Sequence, residues 1–79
     1  MSRYVKRKGL LEIHYGWNTT SREYYYEVYD LTKKHINRGL IDSAGSVKTN
    51  MPPIVLAEKI KRFDAPIEHI QKILWMKKI

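Results

Sequence analysis

The sequence predicts an α+β domain: a small antiparallel β-sheet, made of a hairpin with a possible short third strand, covered on one face by two C-terminal helices. Three observations predict it. Residues 10–31, LLEIHYGWNTTSREYYYEVYDL, are dense in strand-forming side chains, with four tyrosines among the six residues Tyr24–Tyr29. A polar loop divides that stretch in two. After Met51 the apolar residues fall at helical rather than alternating spacing.

Alternation assigns the faces of the hairpin, because successive strand side chains point to opposite sides. Leu11, Ile13 and Tyr15 share one face of the first strand, and Leu10, Glu12 and His14 the other. On the second strand Tyr24, Tyr26 and Val28 oppose Tyr25, Glu27 and Tyr29. The face with Ile13 and Val28 is the core face, and a simple hairpin register then groups Glu12, His14 and Glu27 on the other. The connecting loop is expected over Gly16–Arg22, where Asn18, Thr19, Thr20 and Ser21 have short polar side chains able to bond nearby backbone. A helix is the competing reading of the second half. Thr20 and Glu23 fit a capping box, Tyr24, Val28, Leu31 and His35 are spaced for one helical face, and Gly39 fits a helix end. The poor helix propensity of four tyrosines favours the strand.

The remaining elements follow in order. Residues 1–9 read as the start of the first strand, with Tyr4 inward and Lys6, Arg7 and Lys8 at an edge, where lysines discourage edge-to-edge pairing; a phosphate-contacting arm is the functional alternative. Thr32–Arg38 reads as a turn or a short helical turn, and Leu40–Ile41 as a brief third strand. Ser43–Asn50 reads as a loop; it lacks the spacing of a phosphate-binding loop. Pro52 and Pro53 suit a helix entry, and Leu56, Ala57, Ile60 and Phe63 then share a face. Asp64 is placed to cap a second helix with Pro66 in its first turn, an apolar face of Ile67, Ile70, Ile73 and Leu74, and His69, Gln71 and Lys72 outward.

At 79 residues the chain is one domain, 1–79, of a size where a single core gives only about 3–5 kcal/mol of margin. It has no cysteine, so neither disulfides nor thiolate metal sites are available. No apolar run approaches the ~20 residues of a membrane span, and the N-terminal charges precede too broken an apolar stretch for a signal peptide. A cytoplasmic protein is expected. The net charge is +7; residues 1–31 contribute +1 and residues 32–79 contribute +6. Such a surface attracts polyanions, although lysine-rich surfaces also serve solubility.

Catalytic chemistry finds little to work with. His14, His35 and His69 lie on three different elements without metal-site spacing. His14 beside Glu12 and Tyr15 is the one acid–base grouping, but no nucleophile, base and orienting group come together, so no enzyme, metal or cofactor is expected. Leu56–Gln71, LAEKIKRFDAPIEHIQ, resembles a DNA-binding helix-turn-helix at Leu56, Ala57, Ile60, Ile67 and Ile70. It departs at Lys61, where that family has a turn glycine, and at Arg62, where an apolar residue packs. The resemblance implies Pro66, Glu68, His69 and Lys72 toward the major groove; two core-packing helices joined by a tight turn are the plainer reading. His14–Asp30 resembles a hairpin pattern of small uncharacterised phage- and plasmid-borne proteins through Tyr15, Gly16, Trp17, Tyr25, Tyr26, Val28 and Asp30, with Asn18 in place of the usual Asp. That resemblance implies the same strand–strand–helix–helix order and a mobile-element origin, and no activity.

Two functions are expected from these residues. The first is a small basic, non-enzymatic protein that binds nucleic acid or a nucleic-acid-containing assembly such as a ribonucleoprotein, through Lys33, Lys34, Arg38, Lys48, Lys59, Lys61 and Arg62. The second is an inhibitor or adaptor that docks on a host protein through an aromatic sheet face of Tyr25, Tyr29 and Trp17. Exposed tyrosines on a sheet suit either base stacking or a protein interface.

Overall fold

Tyrosine alternation in the second hairpin strand does produce a strand, and the sheet around it has four members in the order β1-β2-β3-β4, all antiparallel. The computed structural model describes residues 2–33 and 39–79. β1 is Tyr4–Lys8, β2 Leu11–Asn18, β3 Glu23–Asp30 and β4 Leu40–Gly45; α1 is Pro53–Arg62 and α2 Ile67–Leu74. Most of the turn expected over Thr32–Arg38 lies outside the described residues.

Ile13 pairs with Val28, Tyr15 with Tyr26 and Trp17 with Tyr24, so these six share the face that the helices cover. His14 pairs with Glu27 and Glu12 with Tyr29 on the opposite face, as alternation requires. Three boundaries differ from expectation. Residues 4–8 form a strand of their own, because Gly9, at φ 61°, turns the chain in two residues between Lys8 and Leu11. The second loop is shorter than Gly16–Arg22: pairing continues to Asn18–Glu23, and the Asn18 Oδ1 accepts from the N–H of Thr20 (3.0 Å) and Ser21 (3.3 Å) to close the turn. Ser43–Gly45 belongs to β4 rather than to a loop, since weak strand formers are carried by pairing with Tyr25–Glu27.

The core lies between the sheet and the helices. Ile13, Tyr15, Leu56, Ile60 and Ile73 are fully buried, with Tyr24, Tyr26, Val28, Met51 and Ala57 around them. Leu56, Ala57 and Ile60 face inward from α1 as their spacing implies, with Phe63 partly buried. α2 is less amphipathic in practice: Ile73 is buried and Ile70 partly so, while Ile67 and Leu74 are exposed.

Asp64 does not cap α2. It takes φ 57° just past α1, where its N–H donates to the Lys61 carbonyl (3.1 Å) and that of Ala65 donates to the Ile60 carbonyl (3.1 Å). These two bonds make a Schellman close, with Asp64 in the position glycine usually takes. Pro66 is the N-cap of α2 instead. The end of α2 repeats the device with Met76 at φ 58° and bonds from Met76 to Ile73 (3.0 Å) and Lys77 to Lys72 (2.7 Å).

His69 turns inward, contrary to expectation. Its ring lies 4.2 Å from that of Tyr4, and its Nδ1 sits 2.6 Å from the Tyr15 hydroxyl. Burial, chiefly, and then the Tyr4 hydroxyl push the Tyr15 phenol up to about 12, so it keeps its proton and donates to Nδ1. Burial and the Lys72 and Lys6 ammonium groups hold His69 below its ordinary value, with Glu68 opposing. A histidine depressed on folding supplies stability that is complete above its unfolded value of about 6.5 and fades as pH falls through the lower folded value. Urea midpoints are therefore expected to drop between pH 7.5 and pH 5.5 (about), and His69→Gln is expected to flatten that drop. An unchanged pH profile in the variant would reject the assignment.

Candidate nucleic-acid interface

The face of the sheet away from the helices carries a continuous polar chain. The Arg7 Nη2 donates to Glu12 Oε2 (2.9 Å), the His14 Nε2 lies 2.6 Å from Glu12 Oε1, and the Arg3 Nη2 lies 2.7 Å from His14 Nδ1 and 3.3 Å from Glu27 Oε1. Tyr29 donates to Glu27 Oε2 at 3.1 Å. A guanidinium has only donors, so Nδ1 of His14 accepts from Arg3 and the ring hydrogen is assigned to Nε2, facing Glu12. Hydrogen bonds from His14 and Arg7 hold the Glu12 carboxyl below its ordinary value against some burial.

Both ring nitrogens of the buried His14 are thus occupied by its neighbours, which suits a structural role. The two tyrosines expected to stack bases are engaged as well. Tyr25 is half-buried with its hydroxyl donating to the Ser2 carbonyl (2.9 Å), and Tyr29 is buried against His14 at 4.9 Å. Trp17 does not join them. It points to the helix side, edge-on to Tyr24 at 5.0 Å, because its true register partner is Tyr24 and not a residue of the open face. Next to Arg3, Tyr25 and Glu27 lies a depression of about 380 Å³ that reaches Lys48. Its charged lining is balanced, with Arg3 and Lys48 against Glu23 and Glu27, so it offers a polyanion no net attraction.

The basic residues divide by layer. Lys33 and Lys48 are exposed at opposite ends of the described sheet region, and Lys34 and Arg38 lie outside the described residues, as does His35. Lys59, Lys61 and Arg62 occupy the last turn of α1, where cations meet the negative end of the helix dipole. Lys59 is engaged: it pairs with Asp42 at 3.0 Å and sits 5.1 Å from the Tyr26 ring centre. Lys61, Arg62, Lys72, Lys77 and Lys78 make no ion pair with a described residue. Sequence reasoning set Lys72 among the outward residues of α2 and assigned neither Lys77, Lys78 nor Trp75 to an interface. Trp75 is two-thirds exposed with the Lys77 Nζ 5.7 Å from its ring centre, and Lys78 approaches Trp17 at 5.9 Å. The signal available for them was the run WMKK, an aromatic followed by two lysines. The face that the helix-turn-helix resemblance implies is broken, since His69 packs under α2 while Glu68 and Lys72 stay outside.

The fold and these surfaces define a two-layer α+β domain with a charge-balanced sheet face and a basic helix layer. Comparison with protein-family models, curated proteins and solved structures finds no match to this chain. Among the described residues no helix is long and apolar enough to cross a membrane.

Proposed function

We propose that this chain is a small, basic, non-enzymatic binding protein of the cytoplasm, directed at nucleic acid or a nucleic-acid-containing assembly through its helix layer. The observation that carries the reading is the concentration in the helix layer of cations that pair with no described carboxylate, five there beside Lys6, Arg22, Lys33 and Lys48 elsewhere. Lys61, Arg62, Lys72, Lys77 and Lys78 lie in or just past the two helices, whereas the arginines of the open sheet face are spent on Glu12 and Glu27. Exposed Trp75 beside Lys77 pairs a stacking surface with a phosphate partner.

The test is fluorescence anisotropy with short labelled single- and double-stranded DNA and RNA at low and high salt. Engagement of about five phosphates releases enough counterions to weaken binding on the order of a hundredfold between about 50 and 200 mM salt. Lys61→Gln is expected to lower the slope of log affinity against log salt by about 1. An affinity indifferent to salt, or none at low salt, rejects the reading.

A second reading has its own support. Ile54, Ile67, Leu74, Trp75 and Met76 are exposed apolar residues of the helices and the segment after them, which suits an inhibitor or adaptor, of mobile-element origin, docked on a host protein. It moves that contact from the tyrosine face to the helix layer.

A further inference from the structure

The sheet is longer than the helices that cover it. Its eight-residue central strands span about 26 Å, and the ten-residue α1 only about 15 Å. At the end near the β1–β2 turn this leaves a recess of about 290 Å³ between the sheet and the C-terminus of α1. Its walls are Leu11, Val28, Ile41 and Phe63; its charged groups are Lys8, Lys59, Arg62 and Asp42.

A bulge shapes one wall. Val28 pairs with Asp42 and Tyr29 with Leu40, so Ile41 is the extra residue, and it lines the recess together with its neighbour Asp42. Strict alternation would send one of the two to the opposite face; bulges re-aim side chains in this way and recur beside binding sites. Ile41 is 55% exposed there, an apolar side chain held open to solvent by the backbone. The cations are not equally engaged. Lys59 answers Asp42 at 3.0 Å, and Lys8 reaches Asp64 at 3.6 Å across a largely exposed gap worth little in water. Arg62 makes no ion pair with a described residue.

We propose that this recess binds one nucleoside monophosphate unit, with its base against Phe63 and the aliphatic walls and its phosphate on Arg62 and Lys8. The proposal rests on the nucleic-acid reading and gives it a site. An aromatic and aliphatic wall suits a flat apolar group, and a guanidinium fork suits the two oxygens of a phosphate. The volume lies just below the ~300–1,000 Å³ of small-ligand pockets, which suits one such unit and not a folded element of a partner. The same chemistry is carried by a free nucleotide and by the 5′-phosphorylated end of a strand.

The test follows amide NMR shifts of the whole chain during titration with adenosine 5′-monophosphate, adenosine, inorganic phosphate, and short single strands with and without a 5′-phosphate. Adenosine 5′-monophosphate is expected to move Leu11, Ile41, Arg62 and Phe63, and more strongly than adenosine or phosphate alone. Arg62→Gln and Ile41→Glu, both at solvent-open positions, are each expected to weaken it about tenfold, the first by losing one charge-assisted contact and the second by setting a carboxylate in the apolar wall beside a bound anion. A 5′-phosphorylated strand that moves the same amides identifies a strand end as the source, and failure of strands beside success of the mononucleotide identifies a free nucleotide. Salt-dependent strand binding without recess shifts overturns the recess and spares the helix-layer reading. Recess shifts by the mononucleotide without salt-dependent strand binding do the reverse. An acidic peptide that moves these amides where the mononucleotide does not overturns the recess proposal.

Discussion

Tyr15→Ala is expected to leave the chain largely unfolded at room temperature. Tyr15 is fully buried on β2, one of the two central strands of the sheet. Its ring lies 5.5 Å from Tyr4 and 5.7 Å from His69, and its hydroxyl closes the bond to His69 that ties α2 to the sheet. Deleting a large buried aromatic ring costs about 3–5 kcal/mol, which equals the whole margin of about 3–5 kcal/mol for a domain of this size. Tyr15→Phe separates packing from hydrogen bonding. It keeps the ring and loses one bond, about 1 kcal/mol, so it is expected to stay folded with a modestly lower urea midpoint. Circular dichroism during urea titration reads both variants. A Tyr15→Ala chain that unfolds with a midpoint near that of the native protein would show that the core is not centred on this ring.

How much of this was legible depends on whether a residue's role is local. The faces of β2 and β3 were legible because period-two alternation around Ile13 and Val28 is a property of the strand itself, and α1 was legible because Leu56, Ala57 and Ile60 recur at helical spacing. Trp17 was misplaced because the face it shares depends on how far pairing runs before the turn, and Asn18 closes a shorter turn than the polar composition suggested. Ser43–Gly45 has little strand propensity and is a strand only because Tyr25–Glu27 offer it partners. Asp64 was read as a cap for the helix after it, whereas it closes the helix before it; residue type alone does not separate the two, since Asp tolerates both conformations. His69 stands on the polar side of α2 by residue type, yet Tyr4 and Tyr15 draw it in from the sheet. Of the candidate interface, Lys61 and Arg62 were visible as a basic helix end. The recess beside them was not, because it arises from unequal lengths of helix and sheet and from one extra residue in β4.

Gly45→Ala is the other substitution with a large expected effect, and its cause is a carboxylate rather than backbone strain. Gly45 is buried in β4, opposite Tyr25, and a Cβ there would occupy the place of the Glu23 carboxylate. Glu23 is itself only 6% exposed and accepts from the N–H of Lys48 (3.2 Å) and Val47 (3.4 Å), which fixes the turn that leads from β4 toward α1. Burial pushes this carboxyl up; the bonds from Lys48, Ser21 and Val47 outweigh it and hold it below its ordinary value. An alanine methyl displaces the carboxylate and strands it with two backbone donors, a loss of roughly 3 kcal/mol for a buried charged group left without its partners. The same contact carries a pH signature. A carboxylate depressed on folding adds stability above its unfolded value, and that stability fades as pH falls through the lower folded value. The native protein is therefore expected to lose urea resistance between about pH 5 and pH 3, in part through Glu23, and Gly45→Ala to lose less over that interval because its Glu23 bonds are already broken. Glu23→Gln combined with Gly45→Ala completes a cycle in which the two losses are expected to fall short of additive, since both remove one contact. Strict additivity would show that the turn after β4 is held by something other than Glu23.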